Sequence, residues 1–242
     1  MGLSICYNLS LPAETPVSKV RVLLARLRDE AKRIPFDGVS ELVQFGAAEL
    51  SGAWPTEGAT FNGLEDVVNV CARISRETLY RESMGRTFGD NEFERLEVPD
   101  ELPTVAVGFA VVPGKDSEPA AFGLTKLTGE NDSRWYGWCC CKTQYASAHG
   151  DDHFLKCHTS VISLLDAAAQ LGVVCEVFDE GGYFESRDRE ELLKHVEGMN
   201  RLIARFAGAL SDRFEDAGGG TRRVQAEIFR HPEFERLEMP EQ

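Results

Sequence analysis

Residues 104–112 (TVAVGFAVV) carry no charged side chain on either alternating face. A strand can be apolar on both faces only where both faces are covered, so this segment belongs in the middle of a sheet with further layers packed on it. The rest of the chain must supply those layers. Pro113, Gly114, Lys115 and Asp116 form a turn cluster, and residues 120–128 read as the hairpin partner. Residues 135–143 read as a third strand in the series.

The chain opens on a strict alternation. Leu3, Ile5, Tyr7 and Leu9 share one face, with Ser4, Cys6, Asn8 and Ser10 opposite, the pattern of a half-buried strand. Thr15 followed by Pro16 reads as an N-cap and first-turn proline. Val17, Val20, Leu24, Leu27 and Ala31 then recur at helical spacing until Pro35 stops the helix. A short strand over about 39–45 follows, giving a β-α-β unit over 3–45. Residues 46–63 read as loop. Asn62 and Glu65 fit a capping box ahead of the stripe Leu64, Val67, Val68 and Cys71. Residues 82–103 read as a polar surface excursion. A helix over 152–171 and a strand over 173–178 complete a second β-α-β unit spanning 135–178.

A long helix over 188–214 starts with the capping pair Asp188 and Glu191. Its apolar stripe is Leu192, Val196, Met199, Ile203, Phe206 and Leu210. Gly218, Gly219 and Gly220 break the chain, and residues 224–229 suggest an edge strand. The reading is an α+β or mixed α/β fold: a mixed sheet of about six strands with helices packed on it. Residues 1–216 form one domain, with 217–242 as a Gly-rich break and C-terminal extension.

With 26 Lys+Arg against 40 Asp+Glu, the net charge is −14. Such a surface repels phosphate backbones, so nucleic acid is not an expected partner. No window of about 18 apolar residues exists to span a membrane, and the N-terminus lacks the pattern of a signal peptide. Seven cysteines, three of them consecutive at 139–141, point in alternate directions along a strand and make a poor disulfide framework among themselves. We therefore expect mostly free thiols and a cytoplasmic location. Glycine-rich phosphate loops, GxSxG, HExxH and paired CxxC motifs are absent from the sequence, so no cofactor is expected.

Chemistry is expected where the 135–178 unit ends. Parallel strands joined by a helix bring their carboxyl ends to one edge, beside the helix N-terminus, where open sheets bind ligands. That edge would gather Lys142, Gln144, Tyr145, Asp179, Glu180 and Tyr183 as ligand-binding residues. Gly181 and Gly182 would allow close backbone approach. A small molecule is the first expected partner. As an alternative, a Cys/His-dependent enzyme would use Cys141 as a thiol nucleophile with His158 or His149 as its base, or metal-assisted hydrolysis. No metal site is expected; His153 and Cys157, four apart on a helix, are only weak candidates because structural zinc usually shows two tight ligand pairs.

One internal repeat remains. Residues 92–99 (EFERLEVP) recur as 233–240 (EFERLEMP), matching at seven of eight positions. Two copies of a docking segment would be consistent with a third reading of the protein, a non-catalytic interaction module in which a second copy of the chain is the partner.

Overall fold

The computed structural model describes residues 3–50, 63–83, 104–127, 134–216 and 226–239. In chain order these form strand β1 (Ser4–Pro12), helix α1 (Val17–Ala31), strands β2 (Gly38–Val39) and β3 (Val43–Gly46), helices α2 (Ala47–Leu50) and α3 (Leu64–Ser83), and strands β4 (Val105–Val112), β5 (Ala120–Leu127) and β6 (Arg134–Lys142). A 3₁₀ turn (Gln144–His149), helix α4 (Asp151–Gln170), strand β7 (Val174–Asp179) and helices α5 (Tyr183–Ser186) and α6 (Arg189–Asp216) follow. The chain ends in a second 3₁₀ turn (Glu227–Arg230) and helix α7 (Phe234–Glu238). The class is α+β, as the sequence indicates. Most of the 82–103 excursion and the Asn62 end of the capping box lie outside the described residues.

Among the described residues seven strands form one sheet in the order β2-β4-β5-β6-β1-β7, with β3 also on β4. Every pairing is antiparallel, which corrects the expected mixed sheet. The β-α-β reading of 135–178 changes with it. Strands β6 and β7 run in the same direction, but β1 lies between them and pairs antiparallel with both. The 20 residues of α4 make a helix about 30 Å long, enough to carry the chain over the intervening strand. Likewise β1 and β2 are joined through α1 but sit well apart in the sheet. The carboxyl ends of β6 and β7 still meet at one edge, because Lys142 faces Ser4 and Asp179 faces Ile5.

Strand β1 holds this arrangement because its alternation suits a strand paired on both sides. Leu3, Ile5, Tyr7, Leu9 and Leu11 are all buried, while Cys6, Asn8 and Ser10 are half-buried. Strand β4 is buried from Ala106 to Val111, with α1 and α3 packed against it. Gly108 and Gly123 sit face to face beneath Val68 of α3, and a Cβ at Gly108 would come within 2.8 Å of Val68 Cγ1 and 2.7 Å of Gly123 Cα. Glycine here lets the helix lie close on the sheet.

The strand expected over 39–45 is two pieces. Val39 faces Val111 and Val43 faces Gly108, so three residues span a gap opposite two, a bulge. Ser40 fills it: its N–H donates to the Ala110 carbonyl (2.8 Å) and its hydroxyl accepts from the Ala110 N–H (2.9 Å). The edge strand expected over 224–229 is instead a 3₁₀ turn over Glu227–Arg230. Ile228 is buried there against Ala204 and Ala207 of α6, and that burial, rather than strand pairing, sets the local structure.

Helix α6 begins as expected, the Asp188 carboxylate accepting from the N–H groups of Glu190 (2.8 Å) and Glu191 (3.2 Å). Its buried stripe starts on Leu192 and Val196 but moves to Asn200, Ala204 and Ala207, leaving Phe206 55% exposed. The small residues are buried because α7 lies on them.

The cysteine triplet alternates as its strand requires: Cys139 and Cys141 are buried and Cys140 faces the other way. Cys140 forms a disulfide with Cys6, which lies directly opposite on β1. The expectation of a poor framework holds for the consecutive residues among themselves and misses this cross-strand partner. The other five cysteines are free.

Candidate functional site

The carboxyl ends of β6 and β7 converge on a buried chain of hydrogen bonds. Thr143, directly after β6, places its hydroxyl 2.8 Å from His158 Nδ1; His158 Nε2 lies 3.0 Å from Asp179 Oδ1. The Asp179 carboxylate also accepts from the N–H groups of Gly181 (2.8 Å) and Phe184 (2.9 Å). The Asp179 carboxylate can only accept, so His158 Nε2 carries the proton it donates, and Nδ1 faces the Thr143 hydroxyl. Burial alone would raise the Asp179 pKa, but the hydrogen bonds from His158, Phe184 and Gly181 outweigh it and hold the carboxyl below its usual range.

Local chain geometry makes this possible. Gly182 adopts φ +70°, a left-handed conformation suited to glycine. A Cβ at Gly181 would lie 2.5 Å from Leu192 Cδ1 and 3.2 Å from both Asp179 Oδ1 and His158 Cε1, so a side chain here would crowd the pair and the helix beside it. Tyr183 covers the imidazole edge-on, with ring centroids 6.5 Å apart.

A hydroxyl, an imidazole and a carboxylate in this order are the wiring of an activated alcohol. Here, however, Thr143 and His158 are both fully buried, and the His158 and Asp179 side chains expose no surface. A nucleophile must meet its substrate, and this hydroxyl is sealed. The arrangement joins β6, α4 and β7 and fixes the edge of the sheet.

A second chain of hydrogen bonds leads outward. Gln144 is fully buried; its Oε1 accepts from the Leu3 N–H (3.0 Å) and its Nε2 donates to Asn200 Oδ1 (2.7 Å). Asn200 Nδ2 in turn donates to the Ser147 hydroxyl (2.8 Å). Ser147 and Asn200 line a cavity of about 360 Å³ between the first 3₁₀ turn, the start of α4, α6 and the C-terminal segment. Ala148, Leu193, Val196, Pro232 and Leu237 give it apolar walls, while Asp151, Lys194, Glu197, His231, Glu233 and Arg236 bring charge to its lining.

Arg236 ties this lining together, reaching Glu197 at 2.8 Å and Glu233 at 2.5 Å. Its hydrogen bond, with that of Arg201, holds the Glu197 pKa below the usual carboxylate range. Partial burial lowers the His231 pKa, with Arg236 acting in the same direction and Glu233 opposing. Among the described residues no carboxylate forms an ion pair with Lys194, which is exposed.

The residues expected at the edge are therefore divided. Gln144 and Asp179 are there but sealed and fully engaged. The exposed Glu180 accepts from the Ser4 N–H (2.8 Å), and the Lys142 N–H donates to Glu118 (3.0 Å). Tyr145 is half-buried, its hydroxyl pKa raised by burial, and Tyr183 covers His158. The Cys141 nucleophile is not assembled. Its thiol donates to the Glu118 carbonyl (3.0 Å), and burial, with Cys139 and Glu118 nearby, pushes its pKa well up. Both histidines expected as its base have other partners: His158 in the buried chain, and His149 with Asp116 at 2.6 Å. His153 Nε2 does lie 3.6 Å from Cys157 Sγ, but among the described residues no group of three His, Cys, Asp or Glu side chains is placed to hold a metal ion.

Sequence reasoning missed the α6 and C-terminal contributors: Lys194, Asn200, His231 and Arg236. One signal was available, since Asn200 lies four residues after Val196 on the buried side of a helix, where a polar residue needs a partner.

Comparison with protein families, with characterised proteins and with solved structures finds no match to this chain. Among the described residues no helix is long and apolar enough to cross a membrane.

Proposed function

We propose that this protein binds a small polar molecule in the cavity between the first 3₁₀ turn, α4, α6 and the C-terminal segment. The observation that carries the reading is a space of about 360 Å³ walled by both apolar and hydrogen-bonding groups, within the size range of small-molecule sites. Asn200 anchors it: a buried amide, held by Gln144 and Ser147, is a pre-positioned polar contact that needs no reordering on binding. Lys194 suits a carboxylate, and Asp151 and Glu233 suit an ammonium or hydroxyl. The ligand class is therefore a compact zwitterion or hydroxy acid.

This keeps the ligand at the carboxyl edge of the sheet but moves the contacts outward, from Asp179 and Gln144 to the groups those residues brace. The thiol-enzyme alternative has less support, because Cys141 is buried with its pKa raised, opposite to an activated thiolate. Calorimetric titration with a panel of free amino acids and small hydroxy acids tests the reading. At least one should bind at millimolar or lower concentration and lose at least tenfold in affinity in Lys194→Ala. Binding by none of the panel, or binding indifferent to Lys194 and Asn200, would overturn it.

A further inference from the structure

The docking of the C-terminal segment gives the internal repeat a physical meaning. Leu237 is buried with Ile228 against Ala204 and Ala207 of α6. Phe234 packs edge-on to Phe229, centroids 5.0 Å apart. Arg236 bonds Glu197 on α6 and Glu233 within its own segment. A Cβ at Gly208 of α6 would run into the Glu238 side chain, so glycine makes the floor on which that residue lies.

The contacting side chains that fall inside the repeat all have identical counterparts: Glu92, Phe93, Arg95, Leu96 and Glu97 stand where Glu233, Phe234, Arg236, Leu237 and Glu238 stand, while Ile228 and Phe229 lie outside it. The single mismatch is Val98 against Met239. Met239 touches α6 through its backbone carbonyl, which accepts from Arg205 (3.0 Å), and its side chain is 61% exposed. The position that differs is thus one whose side chain the groove does not read.

We propose that the α6 groove built by Glu197, Ala204, Arg205, Ala207 and Gly208 also takes residues 92–99 of a second copy of this chain. The geometry favours a second copy over the same chain. Strand β4 runs parallel in direction to β6, two strands away, so its start at Val105 lies at the end of the sheet away from the carboxyl edge. From Val105 the end of β6 at that edge is about 24 Å away along the strand and two strand spacings of about 4.8 Å across, about 26 Å in all, whereas the seven residues from Val98, the counterpart of the last groove-contacting residue Met239, reach at most about 25 Å. In its own molecule the segment falls short of the edge beside which the groove lies; in a second molecule nothing limits it. Leu202 and Phe206, 53% and 55% exposed on the same helix, widen the apolar surface available to a second copy.

The resident segment follows α6 after a short connection, so its effective concentration is in the millimolar range and an incoming segment must compete with it. A labelled peptide of residues 90–100 added to the full chain tests the proposal, with Arg236→Glu and Leu237→Asp to loosen the resident segment. Arg236→Glu alters an exposed side chain and leaves the core intact, so the test does not depend on Leu237→Asp folding. The peptide should bind Arg236→Glu at least tenfold tighter than wild type, and a Leu96→Asp peptide should bind at least tenfold weaker than the native one. By sedimentation, wild-type chain should show concentration-dependent dimer that Leu96→Asp abolishes. Equal binding to wild type and Arg236→Glu, no binding at millimolar peptide, or binding with no dimer of the full chain would each overturn it. The readouts are peptide affinity and mass, so they stand apart from the small-molecule reading.

Discussion

The carboxyl edge of the sheet holds two polar constructions of opposite character. Thr143, His158 and Asp179 form a closed chain in which the hydroxyl, both ring nitrogens and the carboxylate have partners and no side-chain surface of the His158–Asp179 pair reaches water. Next to it, Gln144 and Asn200 form a chain that starts equally buried at the Leu3 N–H but ends at Ser147 on an open cavity. Catalytic-looking residue types occur in the first, yet the space for a ligand lies beside the second. Residue identity shows where polar groups are concentrated; access decides which of them can act on a ligand.

Removing Asp179 should break the closed side most severely. In Asp179→Ala, His158 and two N–H groups lose their acceptor, and urea unfolding should show a loss of about 3–5 kcal/mol. His158→Ala added to it should cost much less than in the wild type, because the two act as a unit. Additive losses would mean the chain is not coupled. Leu237→Ala should remove about 2–4 kcal/mol from the docking of the C-terminal segment, read as faster amide exchange over 226–239 while β1 stays protected. A uniform increase across the sheet would erase the distinction between the regions.

Asn200→Ala leaves the buried Gln144 amide without its acceptor and should cost about 1–3 kcal/mol, measured by denaturant midpoint. Acid should separate the regions in order. His231 has a lowered folded pKa, so its contribution is present above its unfolded value of about 6.5 and is lost as pH falls below it. The Asp179 contribution is present above about 3.9 and is lost only as pH falls through its lower folded value. The C-terminal segment should therefore loosen near pH 6, by amide exchange, while the edge holds until below pH 4. Lys194→Ala should be the mildest change, within about 0.5 kcal/mol in stability, with its effect confined to ligand affinity.

The sequence made the strands and helices legible wherever one residue period dominated: β1, β4, α1 and α4 lie within a few residues of where their periodicity puts them. Order in the sheet was not legible, because no local pattern announces that the first strand inserts between β6 and β7. The site was half legible for the same reason. Thr143 through His158 and Asp179 through Tyr183 come from the segment whose topology could be reasoned about. Asn200, His231 and Arg236 come from elements whose position depends on how α6 and the C-terminal segment pack. Phe206 shows the limit of helical periodicity: the stripe counted it inside, and the docked segment chose Ala204 and Ala207 instead.

The contrast between sealed and open is tested most directly by histidine reactivity. Native protein treated with diethyl pyrocarbonate and read by peptide mass spectrometry should carry rapid modification at His231, on the cavity wall, and none at His158 until the protein unfolds. Modification of His158 at a rate matching His231 would show that the closed chain opens to solvent, and would return Thr143, His158 and Asp179 to candidacy as the working site.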